Sequence, residues 1–131
     1  MELSIIVCVF NEISFIEESY KELIDSCESK KIKYELIIID NNSSDGTREW
    51  LNSKNHIKVK KIFNKSNIGK GGSIKKGIEF SSGKYLIIFD PDREYEVNSI
   101  WDCLERIKKS DAVCVLGSRL LGERKIYKYA I

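Results

Sequence analysis

Short, continuous apolar runs alternate along this chain with stretches whose apolar residues recur every three or four positions, and that alternation narrowly limits the possible folds. The runs are Ser4–Phe10, Tyr34–Ile39, Ile57–Phe63, Tyr85–Phe89 and Ala112–Leu116. A strand with one wet face alternates apolar and polar residues, whereas an unbroken apolar run fits a strand buried on both faces of a parallel sheet. Ile57–Phe63 interleaves lysines and suits a position nearer the sheet edge. Between the runs, Ile16, Tyr20, Leu23, Ile24 and Cys27 make one face of a helix. A short helix through Trp50 and Leu51 is capped by Ser44 or Asp45, another runs from about Ser73 to Phe80, and a last one, capped by Asn98, aligns Ile100, Trp101, Leu104 and Ile107. The expected product is an α/β fold, a three-layer α/β/α sandwich around a mostly parallel sheet. With 131 residues and no repeat or linker, residues 1–131 are expected to form a single domain.

Composition removes several function classes. A net charge of +2 gives no general case for nucleic acid. The lysines between Lys54 and Lys84, and the basic tail from Arg119 to Lys128, suit phosphate-bearing partners or a solvated basic face. Cys8, Cys27, Cys103 and Cys114 show no C-x-x-C spacing and read as reduced thiols of a cytoplasmic protein. The opening apolar run lacks a basic flank and is too short for a signal peptide or a membrane span, and nothing later approaches a transmembrane helix.

Parallel strands all finish at one rim, where open α/β sheets bind ligands. Four polar segments fall there: Phe10-Asn11-Glu12, the run from Asp40 to Thr47, the glycine-rich stretch from Asn64 to Ser73, and Asp90-Pro91-Asp92-Arg93-Glu94. Pro91 cannot continue a central strand, so Asp90, Asp92 and Glu94 project from a stiff turn. Carboxylates this close repel unless a cation lies among them, which points to a divalent-metal site; a solvated turn with a helix cap is the other reading. Gly69, Gly71 and Gly72 around Lys70 let backbone approach an anion at a helix start, although the pattern matches neither the Walker nor the dinucleotide fingerprint.

Together and in this order, the four segments resemble the Rossmann-like nucleotide-binding half of family 2 glycosyltransferases of the GT-A fold. Val9-Phe10-Asn11-Glu12 is similar to the family's first-strand ending. The run from Asp40 through Asn42, Ser43 and Asp45 to Gly46-Thr47 resembles its Asp-(Asp/Asn)-x-Ser-x-Asp-Gly-Thr motif, Asn67-Ile68-Gly69-Lys70-Gly71 its Asn-x-Gly-x-(Gly/Ala) segment, and Asp90-Pro91-Asp92 its Asp-x-Asp. Within the family, Asp90 to Tyr95 and Leu116 to Gly122 look most like polyprenyl-phosphate sugar synthases. The resemblance implies transfer of a sugar, with inversion, from a UDP- or GDP-linked donor. It implies Mg2+ or Mn2+ held by Asp92 with Asp90 and Glu94. Asp40 and Glu12 would meet base and ribose, Lys70 and the glycine backbone the phosphates, and Phe10, Asn11, Asn42, Ser43, Asp45, Asn67 and Pro91 would complete the donor site.

An alcohol acceptor needs a general base, which inverting members supply from a downstream acidic motif that is not found in this chain. A phosphate acceptor is already anionic and needs only a cation to hold it, for which Arg119 is the expected residue and Arg124 a weaker candidate. The acceptor is therefore expected to be a polyprenyl phosphate, with peripheral contact at the cytoplasmic membrane surface. Family members usually continue well beyond this length, so the chain is expected to lack the acceptor half and its partner segment. A donor-binding or interaction domain without transfer activity is the alternative. A receiver-like domain is disfavoured because no acidic pair follows the first strand. Sugar nucleotidylyltransferases carry their glycine-rich loop after the first strand, where Phe10-Asn11-Glu12 stands here.

Overall fold

A computed structural model describes residues 1–118. In chain order its elements are β1 (Leu3–Val9), α1 (Ile16–Glu28), β2 (Tyr34–Asp40), α2 (Thr47–Ser53), β3 (Val59–Phe63), α3 (Gly69–Glu79), β4 (Tyr85–Phe89) and α4 (Asn98–Lys108). The sheet has the order β3-β2-β1-β4, and every neighbouring pair is parallel. The chain steps outward from β1 through β2 to β3, then crosses back to lay β4 on the other side of β1. The order in which strands are added therefore reverses between β1 and β4, and the connections leaving the carboxyl ends of those two strands part there to leave a crevice.

Strand periodicity divides the core. Leu3, Ile5, Val7 and Val9 of β1 and Tyr34, Leu36 and Ile38 of β2 bury against Ile16, Leu23 and Cys27 of α1, Leu51 of α2, and Ile100 and Leu104 of α4. Their neighbours Ile6, Ile37 and Ile39, with Cys8 and Ile62, face the other way, where α3 crosses β1 and β2. This is the three-layer α/β/α arrangement expected from the apolar pattern. Helix α3 approaches closely because Gly77 has no side chain: a Cβ there would lie 2.9 Å from both Ile39 Cδ1 and Ile6 Cγ2.

At the amino-terminal rim, Glu35 is buried yet charged. It accepts from Ser4 Oγ at 2.6 Å, Ser82 N at 2.6 Å and Ser82 Oγ at 2.8 Å, and pairs with Lys60 Nζ at 2.6 Å. Burial pushes its carboxyl up, but the bonds from Lys60, Ser4 and Ser82 outweigh that and hold it at about 2. The turn between α3 and β4 is thereby fastened to β1 and β2, at the end opposite the crevice.

Several expectations are corrected. Ala112–Leu116 forms no strand; Val113 and Leu116 are 98% and 86% exposed, although the outer edge of β4 is open among the described residues. Helix α3 begins at Gly69 rather than near Ser73, because Asn67 Oδ1 and Asn41 Oδ1 accept from the N–H groups of Gly69 and Ile68, each at 2.9 Å. β3 begins at Val59 and leaves Ile57 exposed. Asn98 is the first residue of α4 and makes no capping bond.

Candidate functional site

The crevice between the ends of β1 and β4 is a cavity of about 420 Å³. Its lining comes from the end of β1 and the loop beyond it (Cys8, Val9, Phe10, Glu12), from Asn41 after β2, from the approach and first turn of α3 (Asn67, Gly69, Lys70), and from the turn after β4 (Asp90, Pro91, Asp92). Among the expected residues, Phe10, Glu12, Asn67, Gly69, Lys70, Asp90, Pro91 and Asp92 thus meet at one place. Asn11, Asp40, Asn42, Ser43, Asp45, Gly71 and Glu94 do not line it, and Arg119 and Arg124 lie outside the described residues.

The polar run after β2 shows what those absent residues do. Asp45 accepts from Ile13 N at 3.0 Å through one oxygen and from Thr47 N and Thr47 Oγ1, at 3.0 and 2.6 Å, through the other. Thr47 Oγ1 in turn accepts from Glu12 N, Ser43 Oγ accepts from Asn11 N, and Asn11 Oδ1 accepts from Ser44 N, each at 2.9 Å. Burial pushes the Asp45 carboxyl up, but the bonds from Thr47 and Ile13 win and hold it below its ordinary value. Asn11 and Asn42 adopt positive φ, at 53° and 67°, and Gly46 turns into α2 at 101° with Ile13 packed against it. The run therefore laces the loop after β1 into one conformation and presents Phe10 and Glu12 to the cavity.

Asp40 is the clearest difference from expectation in placement. It continues the Leu36-Ile38-Asp40 side of β2, is fully buried, and faces α2, where Arg48 Nε approaches its Oδ2 to 2.7 Å. Its other contact is Ser43 N, shared between both oxygens at 3.3 Å. Arg48 also donates to the Asn64 carbonyl and lies 5.4 Å from the Phe63 ring centroid. The next residue, Asn41, turns to the rim and lines the cavity. Its Oδ1 accepts from Asn64 Nδ2 at 3.2 Å and its Nδ2 donates to Asn67 Oδ1 at 2.8 Å; Asn64 Nδ2 continues to Ser73 Oγ at 3.1 Å, so amides tie β2, β3 and α3 together. Sequence reasoning gave no site role to Cys8, Val9, Asn41 or Arg48, although Val9 and Asn41 stand inside the segments it singled out. Strand alternation past Ile38 could have exchanged Asp40 for Asn41, but nothing local marks Arg48.

The acidic turn is held from behind. Pro91 O accepts from Ser19 Oγ of α1 at 2.8 Å, and Arg93, at a φ of 65°, is ion-paired to Glu18. Asp92 Oδ1 accepts from Glu94 N at 3.0 Å. Across the cavity, Lys70 Nζ meets Asp90 Oδ2 at 2.5 Å. Burial raises the Glu12 carboxyl, and the negative charges of Asp92, Asp45 and Asp90 raise it further. Burial would lower the Lys70 ammonium, but its bond and attraction to Asp90 more than reverse this. Burial pushes the Cys8 thiol up to about 11, with Lys70 pulling down and Asp90 pushing up, so it stays a neutral group here.

Among the described residues no group of three or more His, Cys, Asp and Glu is set to hold a metal by itself. Asp90 and Asp92 nevertheless fit a Mg2+ or Mn2+ ion that takes one or two carboxylates and completes its shell with phosphate and water.

Fold and cavity define a parallel α/β domain with an acidic cavity at its carboxyl rim. The chain belongs to glycosyl transferase family 2, whose model matches residues 4–130. It is 37% identical, over 131 residues, to the dolichyl-phosphate beta-glucosyltransferase of Dictyostelium discoideum, covering 89% of this chain and 39% of that protein. Among solved structures it superposes on S. aureus TarS 1-349 in complex with UDP-GlcNAc, with a TM-score of 0.64, 21% identity, and 82% of this chain against 31% of that one. The mannosyltransferase PcManGT from Pyrobaculum calidifontis, in complex with GDP-Man and Mn2+, gives a TM-score of 0.62 at 20% identity, covering 79% of this chain and 31% of that one. The fold is thus the GT-A fold of these enzymes, and the chain spans about two fifths of the Dictyostelium protein's length.

Proposed function

We propose that this chain is the donor-binding part of a glycosyltransferase that moves a sugar, with inversion, from a UDP- or GDP-linked donor to a polyprenyl phosphate. The observation that carries the reading is the meeting of Asp90, Asp92, Lys70 and Gly69 on one cavity at the strand-order reversal. A nucleotide-diphosphate sugar loses a diphosphate whose negative charge grows as the glycosidic bond breaks. Lys70 would hold that diphosphate, and Asp90 and Asp92 would hold Mg2+ or Mn2+, which supplies electrostatic stabilisation of the leaving group. Phe10, Glu12, Asn41 and Asn67 would receive base and ribose. Asp40, Asn42, Ser43 and Asp45 would act by shaping this wall. An acceptor phosphate oxygen would attack the anomeric carbon from the opposite side, and Arg119 would hold it. Support for the acceptor comes from the dolichyl-phosphate relative, and support for donor and cation from the ligands of the two solved enzymes. Among the described residues no helix is long and apolar enough to cross a membrane. Contact with a lipid-linked acceptor would take place at the cytoplasmic membrane surface.

Calorimetric titration with UDP and GDP, with and without Mn2+, tests the donor half. Binding that needs Mn2+ is expected, and no heat in any combination would sink the proposal. Adding donor and polyprenyl phosphate tests transfer: donor binding without sugar transfer would favour a nucleotide-sugar-binding domain with no activity of its own.

A further inference from the structure

Lys70 is set apart from the other lysines of the chain. It stands on the first turn of α3 and reaches across the cavity to the Asp90 carboxylate, 2.5 Å away, at a point where Glu12, Asp90 and Asp92 all line the same space. The two partners are not equally held. Asp90 is 21% exposed and precedes Pro91, whose carbonyl is fixed by Ser19, whereas the Lys70 side chain is 56% exposed on a flexible four-carbon stem. Partly exposed pairs of this kind contribute little net stability, so a competing anion can draw the ammonium away.

We propose that Lys70 couples diphosphate binding to cation binding, occupying Asp90 in the free chain and moving to the diphosphate when the donor arrives, which releases Asp90 to act with Asp92 on a divalent cation. The inference rests on reading the cavity as a nucleotide-diphosphate site. An ammonium and a divalent cation on the same carboxylate repel one another. Without nucleotide, Lys70 therefore works against the cation. With nucleotide present, a diphosphate of two or more negative charges gives Lys70 a better partner on the same side of the cavity, and the opposition disappears. Lys70 would thus make the cation and the nucleotide cooperative, while keeping a pocket of three carboxylates from loading free cation.

The substitution Lys70→Met separates this role from that of a simple phosphate contact, because its two effects have opposite sign. Mn2+ binding to the 131-residue chain without nucleotide is followed by loss of the free-ion electron paramagnetic resonance signal, and UDP and GDP binding at saturating Mn2+ by calorimetry. Relative to the unsubstituted chain, K70M should bind Mn2+ alone about threefold to tenfold more tightly, and the nucleotides roughly tenfold more weakly. Lys31→Met, an exposed lysine between α1 and β2 and off the cavity, controls for net charge and should leave both unchanged. Unchanged or weaker Mn2+ binding by K70M overturns the coupling even if nucleotide binding falls. Failure of the unsubstituted chain to bind either nucleotide overturns the underlying reading and the coupling with it.

Discussion

Replacing Arg48 by Leu would leave Asp40 as a fully buried carboxylate without its cation. The Nε–Oδ2 contact of 2.7 Å is the one strong interaction that carboxylate has, since its remaining donor is a single Ser43 N–H divided between two oxygens at 3.3 Å. Removing one partner of such a pair costs about 3–5 kcal/mol, mainly because the survivor stays desolvated and unpaired. The Asn64 carbonyl also loses its guanidinium donor, which adds to the deficit. Against a total stability of about 5–15 kcal/mol this is a large fraction, and Tm should fall by roughly 10–20 °C. If the unpaired charge is the cause, removing it must help: Asp40→Asn combined with R48L should recover at least about 2 kcal/mol relative to R48L alone. Urea unfolding of the chain, both single variants and the double variant closes the cycle. A double variant no more stable than R48L, or an R48L that loses less than about 1 kcal/mol, would refute the argument that Asp40 is a buried anchor satisfied by Arg48.

Other consequences follow from groups behind the site and at the far rim. Glu35 is held at about 2 rather than 4.5, so its ionised form contributes stability that is fully present above pH 4.5 and is lost as pH falls toward 2. Glu35→Gln should therefore be less stable than the unsubstituted chain by about 3 kcal/mol at pH 7, with the gap closing by pH 2; a gap that persists in acid would contradict this, and urea midpoints at the two pH values decide it. Ser19→Ala removes the hydroxyl that fixes the Pro91 carbonyl. It should cost about 1 kcal/mol of stability while weakening Mn2+-dependent nucleotide binding severalfold, and unaltered binding would show that the acidic turn holds itself.

Much of the fold was legible because burial on two faces leaves a direct mark on composition. Ser4–Val9 and Tyr34–Ile39 became the buried strands they resembled, but Tyr85–Phe89, expected to be buried on both faces, became an edge strand with one face open, Leu86 and Ile88 being 40% and 46% exposed. Ala112–Leu116 carries a similar mark but forms no strand, since an apolar run records what a segment could bury and not whether it joins a sheet. Glycine content read locally set the start of the third helix too late. The donors at its true start are satisfied by Asn67 and by Asn41, the latter 27 positions away from Ile68, a partner no local window contains. The same limit hid Arg48, which marks itself only once α2 is laid over the Asp40 side of β2. Asp40 and Asn41 differ by one step along a strand, and that step moves a side chain from rim to core. The rim segments themselves were readable, because small polar residues and paired acids in such density have few uses at a strand end.

On the proposed function, donor and cation meet between the ends of β1 and β4. Nuclear magnetic resonance of the 15N-labelled chain, with UDP or GDP present and Mn2+ added, reports this directly through paramagnetic broadening that falls off steeply with distance. Amide signals of Phe10, Asn67, Lys70 and Asp92 should disappear first, while those of Glu35, Ser82 and Gly83, at the opposite rim, stay sharp. Broadening centred on the Glu35 rim, or none at the Asp92 turn with nucleotide bound, would rule out a donor and cation site between β1 and β4.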